Sequence, residues 1–366
     1  CKSIVEEQEV TSEKFNDEHD GFYKRLFRAV PREVVRLHFF TTEIGDKDIF
    51  SSDTQRLQEA YIGFCTLRPL RRQRVLEAYV PPVRGERLLE RRKFPLCLAE
   101  KEVRVGGDKG HELVVRESFP FMQQDTNYDC CAHVTLACVS EFMAAKGYAT
   151  NALSLAQIVE AAKSVPAVAR ETPTEGLSVE QIITVARKMD LDVQPYEFRD
   201  DPGEWPCPPE QVIYYYVESG IPVLVTIPAA GAGHALVVVG HTFDSDEWRS
   251  FAEASYYQRP RRPYQRSTRW VSELLVNDDN FGPYMSVPRD FFSLAAMTSR
   301  MLVAVPMPSV VNLNGETAEE YAWFLVGDEY YRDASQELPQ DSRSAKWSAV
   351  FWRAYDAEQL VLRTFL

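Results

Sequence analysis

The chain has 366 residues, of which 45% are hydrophobic, 12% aromatic and 26% charged, enough apolar material for real cores and too little charge for a disordered polyelectrolyte. A formal net charge of -13 disfavours broad attraction to nucleic acid or to an anionic membrane surface. No run of about 18 apolar residues occurs, so the pattern contains no membrane-spanning helix.

Residues 1–10 are acidic and polar and lack the apolar core of a signal peptide. Cys1 in place of a starting Met suggests a trimmed or processed chain. Seven cysteines, an odd number without framework spacing, read as reduced thiols and point to the cytoplasm.

In chain order, residues 1–20 read as a charged, loose arm, and 22–40 as a short helical pattern broken at Pro31. Strand patterns follow at 61–67, 74–80, 96–105 and 112–116, separated by Pro, Gly and Arg. From Arg68 to Lys93 there are nine Lys or Arg against three Glu. Such a run is a solvated face of a small sheet, or a patch for a phosphate or an acidic protein partner. Residues 130–146 have a helical pattern, with Val134, Ala137, Cys138 and Phe142 on one face. Two further helices, 154–162 and 178–189, open with the capping-box pairs Ser154/Gln157 and Ser178/Gln181. A fourth, 208–219, is closed by Gly220. Strand patterns then return at 222–227, 234–241 and 270–277, with a polar insertion rich in Arg and Tyr at 244–268. Helical patterns at 318–326 and 344–355 form a tail expected to pack back on the body. Helices followed by a sheet make an α+β class. The predicted division is 1–60 arm and helical segment, 61–115 small β-rich module, 116–306 main domain and 307–366 helical tail.

One constellation carries chemistry. A thiol attacks a carbonyl carbon as a thiolate, which a helix N-terminus and an imidazolium both favour. The reaction also needs donors for the oxyanion and an orienter for the imidazole. Residues 124–130, Gln-Asp-Thr-Asn-Tyr-Asp-Cys, form a polar loop running straight into an apolar helix, which puts Cys130 at a helix start. Gln124, six residues earlier, is placed to offer its amide to an oxyanion. The small-residue loop before His234 presents that imidazole at the mouth of an apolar strand. Asn277, Asp278 and Asp279 end another strand and each suits the orienter role.

The set Gln-x5-Cys, Gly-His-Ala-Leu-Val-Val-Val-Gly and Asn-Asp-x3-Gly resembles the papain-like cysteine peptidases of the C39 type, which remove double-glycine leaders from bacteriocin precursors. The resemblance covers residues 116–306. It implies a papain-like domain with Cys130 as nucleophile, His234 as general base and then acid, Asp278 as orienter and Gln124 in the oxyanion hole. It implies a peptide or protein substrate, with no cofactor and no metal. Two departures stand out: Cys131 replaces the family's Gly after the nucleophile, and Asp278-Asp279 replaces Asp-Pro. Cys130 keeps the spacing from Gln124, and Cys131 is the alternative one residue on. An inactive interaction module of the same fold and an acyl-transferring transamidase are the rival functions. Cys131, Cys138 and His241 otherwise read as core residues, with His241 on the strand face opposite His234. His133 and Cys138 lack a second ligand pair at zinc spacing, and His19, His38 and His111 lack local partners.

Overall fold

A computed structural model describes residues 1–21, 23, 30–70, 72–82, 92–95, 97–124, 131–165, 177–229, 232–243, 268, 271–309, 311 and 314–318. Cys130, the insertion apart from Thr268, and both tail helices apart from Ala318 lie outside the described residues.

Residues 3–11 and 33–40 are strands, not a loose arm or a helix. β1 (Ser3–Thr11) is acidic, but its side chains largely alternate between exposed and half-buried. It pairs antiparallel with β2 (Glu33–Phe40). The segment read as a loose arm is therefore a strand followed by helix α1 (Glu13–Gly21). The helical reading of 22–40 is likewise replaced by β2 over its second half. There, ladder partners on both sides and the burial of Val34, His38 and Phe40 override a weak local pattern. After the short helices α2 (Asp46–Ile49) and α3 (Thr54–Ala60), β3 (Tyr61–Leu67) and β4 (Val75–Tyr79) complete a four-stranded sheet in the order β1-β2-β3-β4. β5 (Arg92–Pro95) joins the second sheet. β6 (Ala99–Val105) and β7 (His111–Ser118) form a hairpin whose Val103 and Val115 pack on Phe64 and Tyr79.

One member of the basic run is internal. Arg68 is 1% exposed. Its Nε and Nη2 donate to the two carboxylate oxygens of Glu18 at 2.8 and 3.0 Å. Its Nη1 donates to the carbonyls of Val75 at 2.7 Å and Gln123 at 3.0 Å. A buried guanidinium is tolerated only when its donors are satisfied this way. The network fastens α1, the β3–β4 loop and the segment leading to Gln124.

The second sheet has seven strands in the order β12-β11-β10-β9-β13-β8, with β5 also paired to β10. Its members are β8 (Leu191–Phe198), β9 (Val223–Ala229), β10 (Ala232–Phe243), β11 (Glu273–Asp278), β12 (Gly282–Pro288) and β13 (Met301–Pro308). One face carries α4 (Cys131–Ala145), α5 (Leu155–Lys163) and α6 (Val179–Arg187); the other carries α7 (Pro209–Glu218) and α8 (Phe291–Ala296). The period of two is explicit in β10. Ala235, Val237 and Val239 join the α4 core, while Leu236 and Val238 join the α7 core. The α+β class expected from the sequence is the class observed, with both capping boxes formed at Ser154 and Ser178. A bulge between Val238 and Gly240 interrupts the alternation and turns His241 toward α7. There His241 Nε2 meets the Glu218 carboxylate at 2.5 Å, a structural pair. Among the described residues no helix is long and apolar enough to cross a membrane.

β8, β12, β13 and α8 escaped the sequence reading. β8 and β12 are the sheet's edges and carry polar, part-exposed sequences, with Pro195 accommodated at the edge. β13 is buried at all eight positions, a continuous apolar run with no alternation to detect.

Arg68→Met leaves the Glu18 carboxylate buried without its counter-ion. It is expected to lower unfolding free energy by about 3 kcal/mol, read by urea denaturation followed by tryptophan fluorescence. A loss below about 1 kcal/mol would mean that the pair contributes no more than a surface ion pair.

Candidate active site

Helix α4 and strand β10 meet end to side. Cys131, the first residue of α4, is 8% exposed, and its Sγ lies 4.0 Å from the Gly233 carbonyl oxygen. One turn on, Thr135 Oγ1 donates to the Ala235 carbonyl at 3.4 Å. Four helical residues rise about 6 Å and two strand residues about 6.6 Å, so the two contacts keep step. This match brings the first described turn of α4 against the strand residue before His234.

His234 Nε2 lies 2.9 Å from Asp278 Oδ2, and the Cys131 thiol is the other side chain whose interaction favours the charged imidazole. Asp278 Oδ1 accepts the backbone N–H of Asn280 at 2.9 Å and of Phe281 at 3.3 Å. Both carboxylate oxygens of Asp278 are thus engaged, and the turn after β11 fixes the imidazole. Asn277 is committed elsewhere, its Oδ1 accepting the Tyr284 N–H at 2.8 Å. Asp279 Oδ1 is 3.7 Å from His234 Nε2, and neither of its buried oxygens has a hydrogen-bond partner among the described residues.

These surroundings set the charges. Burial alone would push the His234 imidazole down, but hydrogen bonds with Asp278 and Cys131 and the charges of Asp278 and Asp279 raise it to about 10. His234 is therefore an imidazolium at neutral pH. Burial works against the Asp278 carboxylate too, but the His234 and backbone N–H bonds hold it below its ordinary value. Asp279 has weaker compensation. Burial, with help from the Asp278 charge, pushes it up to about 7 against the opposing charge of His234. Elsewhere, burial pushes the Cys138 thiol up to about 12 and the His133 imidazole down to about 4.

Of the residues singled out from the sequence, the structure brings His234 and Asp278 into contact. It connects Gln124 to the same turn, through Gln124 Nε2 donating to Asn280 Oδ1 at 3.0 Å. Cys130 lies outside the described residues, and the thiol seen at the imidazole is that of Cys131. His234, Asp278 and Asp279 bring one metal-type ligand atom each within 4.8 Å of one another, a spacing that a cation could share. His133 and Cys138 do not belong to that group. Sequence reasoning missed Asn280 entirely; its signal was weak, an amide following two carboxylates in a turn.

The sequence matches no family model and no curated protein. Among solved structures, the chain is similar to the peptidase domain of Streptococcus ComA, a bifunctional ABC transporter involved in a quorum-sensing pathway, with 16% identity, a TM-score of 0.29, and coverage of 50% of this chain and 96% of that one. It is similar to UfSP from C. elegans, with 13% identity, a TM-score of 0.32, and coverage of 52% of this chain and 32% of that one. It is also similar to a double-glycine-motif protease from an AMS/PCAT transporter, solved in complex with the leader peptide, with 14% identity, a TM-score of 0.28, and coverage of 51% and 91%.

Proposed function

We propose that the chain is a papain-like cysteine peptidase acting on a peptide or protein substrate, with Cys131 as nucleophile, His234 as proton carrier, Asp278 as orienter and Gln124 as oxyanion donor. The observation that carries this reading is the 2.9 Å His234–Asp278 hydrogen bond beside Cys131, whose Sγ lies 4.0 Å from the carbonyl of the residue before His234. We take Cys131 in place of Cys130, the choice made on spacing, because Cys131 is the described thiol that acts on the imidazole, while Cys130 lies outside the described residues. Free thiols at all six cysteines described fit a reducing compartment such as the cytoplasm.

The chemistry follows from the charges. Cys131 has to react as its thiolate, and His234 is the group beside it that carries the proton. The Cys131 sulfur attacks the scissile carbonyl carbon, and the carbonyl oxygen takes the negative charge. Gln124 Nε2 donates one N–H to Asn280, which leaves its second for that oxygen. As the C–N bond breaks, His234 gives its proton to the departing amine, leaving a thioester. The neutral imidazole then removes a proton from water, which attacks the thioester and releases the carboxylic acid and the thiolate. Asp278 holds Nε2 throughout, which leaves Nδ1 for the sulfur side.

Cys131→Ala is expected to lower hydrolysis of a mixed peptidyl-aminomethylcoumarin library by roughly a thousandfold or more, while Cys130→Ala stays within about threefold of the parent. At pH 6, iodoacetamide is expected to label Cys131 ahead of Cys138, and His234→Ala is expected to slow that labelling. Labelling and activity that follow Cys130 instead would overturn the assignment.

Asp279 makes a separate test of the electrostatics. Its carboxyl titrates at about 7 in the folded protein against an ordinary 3.8, so the folded state resists its ionisation. The sign follows: the neutral form's advantage is complete below pH 3.8 and is lost as pH rises through 7. Asp279→Asn is therefore expected to stabilise the fold by about 4 kcal/mol at pH 8 and to change little at pH 4, measured by denaturation at both pH values. Equal effects at the two pH values would mean that Asp279 is already ionised in the folded protein at low pH.

A further inference from the structure

The N-terminal sheet reaches the catalytic turn through three amide side chains. Asn280 Oδ1 accepts two hydrogen bonds, from Gln124 Nε2 at 3.0 Å and from Gln73 Nε2 at 3.3 Å. A carbonyl oxygen has two lone pairs, so both bonds form at once. Gln73 sits in the loop between β3 and β4 at φ +46°, a left-handed conformation uncommon for a residue other than glycine. That loop is pinned from within. Arg68 N–H donates to the Arg74 carbonyl at 2.7 Å, and the Arg68 guanidinium grips the Val75 and Gln123 carbonyls. The backbone of Gln123 is tied to the same place, its N–H donating to Val75 O at 2.9 Å and its Oε1 accepting Val75 N–H at 3.1 Å. Gln124 therefore has its backbone anchored by the N-terminal sheet and its side chain anchored by Asn280. Asn280 in turn gives its backbone N–H to the Asp278 carboxylate.

We propose that Asn280 is a positioning residue: its side-chain oxygen aims the Gln124 amide at the oxyanion, and Gln73, from the N-terminal sheet, steadies Asn280. The inference rests on the reading of Gln124 as oxyanion donor. It gives the N-terminal sheet a part in the chemistry that its position ahead of the peptidase core does not suggest. It also accounts for a side chain that touches neither the nucleophile nor the imidazole. Without Asn280 Oδ1, the Gln124 amide has no fixed partner among the described residues, because its own Oε1 has none. A wandering donor stabilises the oxyanion less, because its ordering must then be supplied in the transition state. The N–H of residue 280 survives any replacement except proline, so in the variants below Asp278 and His234 keep their arrangement.

Two reagents separate this role from general damage. p-Nitrophenyl acetate acetylates a thiolate through an oxyanion: a sulfur–carbon bond forms, the ester C–O bond breaks, and p-nitrophenolate leaves. Iodoacetamide alkylates the same thiolate by displacement of iodide, with no oxyanion. On the full chain, Asn280→Ala is expected to slow acetylation of Cys131 by about tenfold and to leave alkylation within about twofold. Asn280→Asp, which keeps an Oδ acceptor, is expected to restore most of the rate. Gln73→Ala is expected to cost about threefold. The double variant Asn280→Ala/Gln124→Ala should be no slower than Gln124→Ala alone, because the two act as one unit. If Gln124→Ala slows acetylation and Asn280→Ala does not, the positioning role is overturned while the oxyanion reading stands. If Gln124→Ala leaves acetylation unchanged although Cys131 still reacts, both the oxyanion role and this inference fall. Equal slowing of acetylation and alkylation by Asn280→Ala would show disruption of the thiolate site and also overturn the proposal.

Discussion

The guanidinium of Arg68 is the constraint on which the rest of the arrangement hangs. Its donors lie in one rigid plane, and four hydrogen bonds from them go to a carboxylate from α1 and to the carbonyls at Val75 and Gln123. Nothing flexible lies between that plane and Gln124, one residue beyond Gln123. The position of Gln123, next to Gln124, is thus tied to an ion pair buried in the N-terminal part of the molecule. A lysine could supply the charge but not the fork. Charge runs usually mark solvated faces, and here one member of such a run is the joint between two sheets.

Around His234 the protein places two neighbouring carboxyl groups in opposite environments. Asp278 receives the imidazole and two backbone N–H groups, which hold it ionised. Asp279, one residue later and almost fully buried, lacks such a set and resists ionisation. Identical side chains are driven apart by burial and hydrogen bonding alone, the pattern by which active sites divide roles between like groups. Near neutrality the pair therefore carries one firm negative charge and one that responds to pH, facing a single imidazolium.

The sequence was most legible where local rules and tertiary context agree. The helices from α4 to α7 were readable because capping pairs such as Ser154/Gln157 and stops such as Gly220 satisfy backbone groups locally. β3 was legible because the expected apolar and β-branched pattern ends where the sheet does. β1 and β2 were not, since an acidic strand and a strand beside a broken helical pattern are decided by ladder partners far away in sequence. At the site, His234 and Asp278 stood out by residue type and order, and their contact follows. Which of two adjacent thiols meets the imidazole depends on the rotation of α4 over β10, and spacing from a loop residue does not encode that rotation. Asn280 was invisible for a related reason: an exposed amide acquires meaning only from what two other chain segments donate to it.

The position of β13 has a consequence for the order in which the molecule can be made. This strand is among the last described, yet it lies between β9 and β8 inside the sheet, and β9 is the strand that pairs with β10 across from His234. A chain emerging from a ribosome exposes Cys131 first, and more than a hundred residues later its imidazole. The edge strand β8 can join the sheet that carries His234 only once residues 301–308 have been made, because β13 is its partner in that sheet. The interior place of a late strand thus acts as a timer: residues 191–198 wait more than a hundred residues for the strand that ties them to the rest of the sheet.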